Sequence, residues 1–362
     1  QNEGKAFHNS QLTIEEYVYT KKKLLYGIPG KGNVTIGGAI ASDAHGKDNL
    51  WGGGFSRNLD KISISLPSGE KIIASDEKNK DLFSTTIGGF GLTGIINGAT
   101  FKKNNIQFSN FFSSSCITGK GVENLTDIYV NKNNTYWVGW IDLLDKDKKW
   151  VVEESKPISN NKVRYKVKRE QNLNVSIPFV GSNLFGSMSF INYLYFQNKK
   201  RLRAHEKHIS SILYPLNKWS DTKNISKKRK IVQIQFSLPT KNQIFLDSLL
   251  DLLIYKQNPL LCSIKRLNNN LYENNLSFIQ NGWTVAVDFP YHSFNNDLVR
   301  KFYKRLIELE GKVYLAKDST LNSNEFKEMF LNHSKWVDIV KKIDPYNKFQ
   351  SELSTRLGLK KW

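Results

Sequence analysis

Cysteine is nearly absent from this chain: Cys116 and Cys262 are the only two in 362 residues. Two thiols cannot build a disulfide framework or a four-ligand zinc site alone, so a reducing compartment is expected. Also missing is any run of about 18 uninterrupted apolar residues, so no spanning helix is expected. The first residues are polar and show no signal-peptide pattern. Acidic side chains are scarce, 33 against 53 basic ones, for a formal net charge of +20. What is present suffices for a core, because 39% hydrophobic and 12% aromatic residues rule out general disorder. At roughly 150 residues per domain the length fits two domains, or one with a large insertion. The expectation is a soluble, basic α/β or α+β protein.

The charge is uneven. Residues 1–110 hold 13 basic and 10 acidic side chains, whereas residues 162–230 hold 16 and 3, a net of +13. Such a patch suits an anionic partner: a nucleic-acid backbone, lipid headgroups or a phosphorylated substrate. A lysine-rich surface produced by compositional bias is the other reading. Within it, Asn172 to Asn198 carries no charge and contains Phe179, Phe185, Phe190, Tyr193, Tyr195 and Phe196. Pro178 and several Ser and Asn residues exclude a membrane span, leaving burial or interfacial contact.

Local patterns predict a helix over Gln11 to Lys23 capped by Thr13, and a hairpin over residues 59–75 turning at Pro67-Ser68-Gly69. They predict helices at Lys80 to Thr85, Leu246 to Tyr255 and Asn296 to Leu309, the last stopped by Gly311. Strands are expected near Thr135 to Ile141, at 162–168, from Ile231, at Trp283 to Phe289 and at Lys312 to Leu315. Two glycine clusters stand out. Val34 to Lys47 packs Gly37, Gly38, Ala39, Ala41, Ala44 and Gly46 together, and Gly88, Gly89, Gly91 and Gly94 form the second. Glycines there permit positive φ and expose N–H groups to a phosphate or a flat ring. No G-K-[ST] follows and the spaced G-x-G-x-x-G is absent, so neither nucleotide-loop motif applies. By itself the cluster is equally a structural turn.

The run Pro29-Gly30, Val34-Thr35-Ile36-Gly37-Gly38-Ala39-Ile40-Ala41, Asp43 and His45-Gly46-Lys47 resembles the flavin-binding signature of vanillyl-alcohol-oxidase-type FAD oxidoreductases. Within them it is similar to the decaprenylphosphoryl-ribose 2-oxidase group. The likeness continues through Ile87-Gly88-Gly89, Gly91-Leu92-Thr93-Gly94-Ile95, Trp140-Ile141-Asp142 and Tyr214-Pro215-Leu216. It returns at Gln233-Ile234-Gln235-Phe236, Gly282-Trp283, Val287-Asp288-Phe289-Pro290, Tyr314 to Ser319, Asp344-Pro345 and Arg356-Leu357. The resemblance implies an α+β fold. A flavin domain would take residues 1–105, an antiparallel-sheet substrate domain 106–310, and a segment at 311–362 would return to the flavin domain. It implies FAD along Gly30, Thr35, Ile36, Gly37, Gly38, Ser42, Asp43, Ala44, His45 and Ile95, with Tyr314 reaching it from the C-terminal part. It places Lys317 beside the flavin as the catalytic residue. Tyr214, Gln235, Lys265, Thr284 and Lys317 would line the substrate pocket.

The departures are specific. Ala286 stands where mycobacterial members have the cysteine attacked by covalent inhibitors, and Thr284 stands where Asn is usual. The stretch after the lysine-arginine pair is Leu267-Asn268-Asn269-Asn270 in place of a glycine-containing one. The family also has an upstream loop that holds the FAD pyrophosphate, and nothing before Gln11 resembles it, so the expectation is a chain lacking part of the FAD domain.

The implied reaction oxidises the 2′-hydroxyl of a polyprenyl-phosphate-linked pentose to a ketone, the first half of an epimerisation in cell-envelope polysaccharide synthesis. A separate NAD(P)H-dependent keto-reductase would complete it. Lys317 serves as proton acceptor if burial brings its pKa toward neutrality; otherwise it hydrogen-bonds as a cation. Lys265 could pair with a substrate phosphate or be a surface lysine. His205 and His208 lie three apart without acidic or Cys partners, so no metal is expected. An aromatic surface beside Lys199, Lys200, Arg201, Arg203 and Lys227 to Lys230 would suit the face of an anionic membrane, in a protein otherwise expected in the cytoplasm, peripheral to the inner face. The competing readings are a free-sugar or aldonolactone oxidase of the same superfamily and a nucleic-acid-binding protein. Residues 223–230 offer no aromatics among their lysines, so nucleic acid is not the expected partner.

Overall fold

The structure is a computed structural model describing residues 6–128, 135–158, 184–215, 231–268 and 276–360. The strands are β1 (Phe7–Asn9), β2 (Leu59–Ser65), β3 (Lys71–Ala74), β4 (Ile95–Phe101), β5 (Phe111–Lys120), β6 (Tyr136–Ile141), β7 (Lys149–Pro157), β8 (His205–His208), β9 (Ile231–Pro239), β10 (Leu261–Leu267), β11 (Gly282–Pro290) and β12 (Lys312–Val313). The helices are α1 (Ile14–Lys21), α2 (Ile36–Ala41), α3 (Asn49–Gly52), α4 (Lys80–Thr86), α5 (Val122–Thr126), α6 (Leu184–Arg201), α7 (Ile209–Leu213), α8 (Leu246–Ile254), α9 (Asn296–Glu308), α10 (Ser323–Met329), α11 (His333–Ile343) and α12 (Glu352–Leu357). Side chains of α6 are described from Met188 onward.

Two antiparallel sheets organise the chain, in the orders β1-β4-β2-β3 and β12-β9-β11-β10-β6-β7-β5-β8. Sheets and helices in these proportions make the fold α+β. In the larger sheet the alternation of each central strand separates two surfaces. Ile234, Phe236, Cys262, Ile264, Trp283, Val285 and Val287 join one core with Leu249, Leu250 and Leu253 of α8 and Val299, Phe302 and Leu306 of α9. The registers Gln235↔Ala286, Ser237↔Thr284 and Lys265↔Thr284 put the intervening polar residues together on the other surface. The smaller sheet has its own core, in which Ile62, Ile64 and Ala99 pack with Ile36, Ala39 and Ile40 of α2. The C-terminal segment reaches that region, because Trp336 of α11 donates its indole N–H to the Thr85 carbonyl at 3.1 Å.

Several local signals act as read. Thr13 and Glu16 form a reciprocal capping box on α1, and the 59–75 hairpin pairs Ile62 with Ala74 and Ser65 with Lys71. The expected strand at 162–168 lies outside the described residues. Two expectations need correcting. Gly311 does not supply the left-handed stop after α9, since that conformation belongs to Glu310 at φ 55°; a Cβ at Gly311 would instead collide with the Leu306 side chain and the Ser237 carbonyl. Gly37 and Gly38 are helical residues of α2, and Asp43 is the residue of that run with positive φ, 41°. Gly37 serves close packing, because a Cβ there would sit 3.0 Å from the Ser10 Cβ. In the second cluster the Gly88 and Phe90 amides donate to the Ile40 and Ala41 carbonyls, both at 2.9 Å, and so bind it to the end of α2.

Candidate functional site

The polar surface of the large sheet carries Gln233 and Gln235 on β9, Thr284, Ala286 and Asp288 on β11, and Ser263 and Lys265 on β10, all from alternate positions. Opposite it stands His45, four residues past the end of α2. The chain there is held by the Ala44 amide on the Ala39 carbonyl and the Phe55 amide on the Ala44 carbonyl. The Gln235 side-chain amide joins the two: its nitrogen lies 2.9 Å from His45 Nε2 and donates to Thr284 Oγ1 at 3.1 Å. An amide nitrogen only donates, so His45 Nε2 must accept and its proton resides on Nδ1. Burial, then the nearby Lys265 and Lys317 charges, push the His45 pKa well below its ordinary value, so the ring is neutral. Nδ1 is buried and makes no hydrogen bond among the described residues.

Tyr314 closes the other side. Its amide donates to the Gln235 carbonyl at 2.8 Å and its hydroxyl to the Ser42 carbonyl at 3.1 Å. Its ring stacks on Phe278 with centroids 4.3 Å apart, and both rings edge against His45. The turn that follows brings the Lys317 amide onto the Tyr314 carbonyl at 2.9 Å. Lys317 remains open to solvent, yet protein surrounds it on several sides. That crowding lowers its pKa, Asp288 opposes the shift, and Lys31 on the loop after Gly30 adds to it. Water still reaches the residue.

The neighbouring cations are less expected. Lys265 is pulled down to about 7 by burial, with Lys47 and Lys317 adding repulsion. Lys47 falls to about 8, chiefly by burial. Neither makes an ion pair with a described residue. Lys199 and Lys207, read from sequence as part of a surface patch, instead fold inward onto Glu153 at 3.1 and 2.8 Å, with side chains only 13% and 11% exposed. Burial would raise the Glu153 carboxyl, but Lys207 and Lys199 outweigh it and hold it at about 2. The parts of that patch at residues 162–183 and 216–230 lie outside the described residues, as does Asn269-Asn270.

Of the residues read from sequence, His45, Gln235, Thr284, Tyr314, Lys317 and Lys265 therefore converge, with Ser42 joined through Tyr314. The structure places the others in these surroundings. Ile36 and Ala44 are core residues, and Asp43 is buried with its carboxylate accepting from the Ser56 amide at 3.3 Å. Thr35 caps α2 through the Gly38 amide at 3.1 Å. Gly38 is exposed at the surface of α2, as is Ile95 at the start of β4. Tyr214 is buried in the core of the smaller sheet with Tyr136 rather than beside Gln235. His208 caps α7, accepting from the Ser210 amide at 3.3 Å. Sequence reading missed Phe278, Glu153, Asp288 and the role of Lys47. Polar residues at every second position of β9 and β11, between Val, Ile and Phe, were the available signal for Gln233 and Asp288.

Replacing Gln235 by leucine leaves His45 Nε2 buried without its donor. The expected cost is about 1–3 kcal/mol of stability, read as a lowered urea midpoint.

No protein-family model matches the chain. Over 347 aligned positions it is 25% identical to the decaprenylphosphoryl-beta-D-ribose oxidase of Mycolicibacterium smegmatis, an alignment taking in 92% of this chain and 75% of that one. The chain is similar to this ribose oxidase along nearly its whole length. A shorter stretch of 122 residues, 32% of this chain, is 30% identical to an uncharacterized protein of Streptomyces coelicolor encoded in the mprA 5′ region, covering 31% of it.

Proposed function

We propose that this protein is an FAD-dependent oxidoreductase that oxidises the 2′-hydroxyl of a polyprenyl-phosphate-linked pentose to a ketone. The observation that carries the reading is the convergence of His45, Gln235, Tyr314 and Lys317 where the polar surface of the large sheet meets the end of α2. The residues fit a flavin edge: a buried His45 Nδ1–H without a described partner is left to donate to a ring carbonyl, and the stacked Tyr314 and Phe278 rings pack edge-on against His45 and hold it in place. Lys317 and the Gly30 to Lys31 loop flank the same opening. A bound flavin supplies the two-electron acceptor for the carbon-bound hydride.

The chain's own residues then have distinct tasks. Lys317, with its pKa lowered, takes the hydroxyl proton as the C–H bond breaks, so that one hydride and one proton leave the alcohol together. The Gln235 amide fixes His45 in one tautomer, which keeps Nδ1 a donor rather than a second base. Tyr314 holds the Lys317 turn against Ser42. Lys47 and Lys265 give the cleft positive charge without a paired carboxylate, which favours a phosphate-bearing substrate over a free sugar. The product ketone requires a separate reductase to complete an epimerisation.

The test is the absorbance spectrum of the purified protein, as this chain and with an N-terminal extension. A two-banded flavin spectrum is expected; no flavin in either form would overturn the reading. The lysines add a pH dependence. Both must be protonated to attract phosphate, so KM for a phosphate-linked substrate should be lowest below about pH 7 and rise through about pH 8. A KM flat over pH 6 to 9 would remove them from the substrate site.

A further inference from the structure

Helix α6 buries polar residues beside Phe196 and leaves a mostly apolar face outside. On a surface helix the apolar stripe normally faces the core and the polar residues face water. Here Asn192 turns inward and donates to the Asp142 carboxylate at 2.8 Å, and Lys199 turns inward onto Glu153. The outward face carries Phe190, Tyr193 and Leu194, which are 60%, 50% and 50% exposed. Tyr195 is 39% exposed and meets Trp140 edge-on at 4.9 Å. The inward polar pairs fix the rotation of the helix, so the aromatic side cannot roll under without breaking them.

The outer stripe ends in charge. Arg201 follows Leu194 along the same face, Lys200 lies on its flank, and Arg203 comes just beyond; all three are exposed and pair with no acidic residue among those described. Exposed aromatic and aliphatic side chains bordered by unpaired cations match the layered chemistry of a bilayer surface, with acyl boundary beneath anionic headgroups. No described helix is long and apolar enough to cross a membrane, so the geometry is that of a helix lying on one.

We propose that the outward face of α6 docks this protein onto an anionic lipid bilayer. The surface stands on its own chemistry and does not depend on the oxidase reading. If both hold, the docked helix leads through Lys199 and Glu153 toward Lys47 and Lys265, the direction from which a lipid-linked phosphate arrives.

The test is co-sedimentation with vesicles of phosphatidylcholine alone and with phosphatidylglycerol added. Binding is expected to the anionic vesicles and to weaken as salt rises. The triple variant F190S/Y193S/L194S and the charge variant K200E/R201E should each lose about tenfold in vesicle affinity. Circular dichroism and thermal melting should stay unchanged, because these side chains are exposed. Three results would overturn the proposal: wild-type protein remaining in the supernatant, variants sedimenting like wild type, or a concentration-dependent dimer abolished by the triple variant in place of vesicle binding. None of these readouts involves flavin, so failure here and failure of the oxidase reading are separable.

Discussion

Replacing Lys317 by methionine is expected to lower kcat by about 10²–10⁴-fold while the protein still folds and binds its cofactor. The side chain is solvent-exposed, so its loss leaves no buried partner stranded. On the proposed reading the neutral amine is the proton acceptor, and the protein crowded around it lowers its pKa from the ordinary lysine value. The rate should therefore rise with pH as the amine deprotonates, and this limb should vanish in the variant. A methionine variant with wild-type kcat, or one that keeps the alkaline rise, removes Lys317 from the chemistry.

The second large effect is expected at Arg356, which touches nothing in the cleft. From α12 its guanidinium pairs with the Asp318 carboxylate at 2.8 Å and donates to the Asp318 and Leu321 carbonyls. The Asp318 side chain is 1% exposed and also receives the Thr320 and Leu321 amides, both at 2.9 Å. Together these bonds freeze the turn that begins at Lys317. Arg356→Ala leaves a buried carboxylate without its counter-charge, which costs about 3–5 kcal/mol. The amides retained by Asp318 point to the lower end of that range. Adding Asp318→Asn should restore part of the stability, because a neutral amide needs no counter-ion. Activity should not return with it, since the turn is still unclamped. Denaturation curves and kcat on the single and double variants separate the two effects; an Arg356→Ala protein as stable as wild type contradicts the clamp.

What was legible in sequence was local. Thr13 with Glu16, the Pro67-Ser68-Gly69 turn and the alternation of β9 and β11 each act within a few residues, and each formed as read. The cleft was legible only through resemblance, because Gln235 meets His45 across 190 positions and no spacing rule connects them. Charge misled for the same reason. Lys199 and Lys207 read as patch residues, but their partner Glu153 lies some distance back in the chain, on β7. The glycines of α2 read as left-handed turn formers, although the need there was for close packing on Ser10. The uncharged stretch before Asn198 left burial and interface open. In α6 the inward polar bonds of Asn192 and Lys199 leave Phe190, Tyr193 and Leu194 outside, while Phe196 is buried.

The most direct measurement is anaerobic titration of the flavin-loaded protein with decaprenylphosphoryl-ribose, followed by absorbance, with free ribose as comparison. The expected result is loss of the oxidised flavin bands with the lipid-phosphate-linked sugar, little change with ribose, and a large slowing in the Lys317 variant. Bands that stay oxidised with the linked sugar, or bleach equally with free ribose, would contradict the assignment of this cleft to a lipid-phosphate-linked substrate.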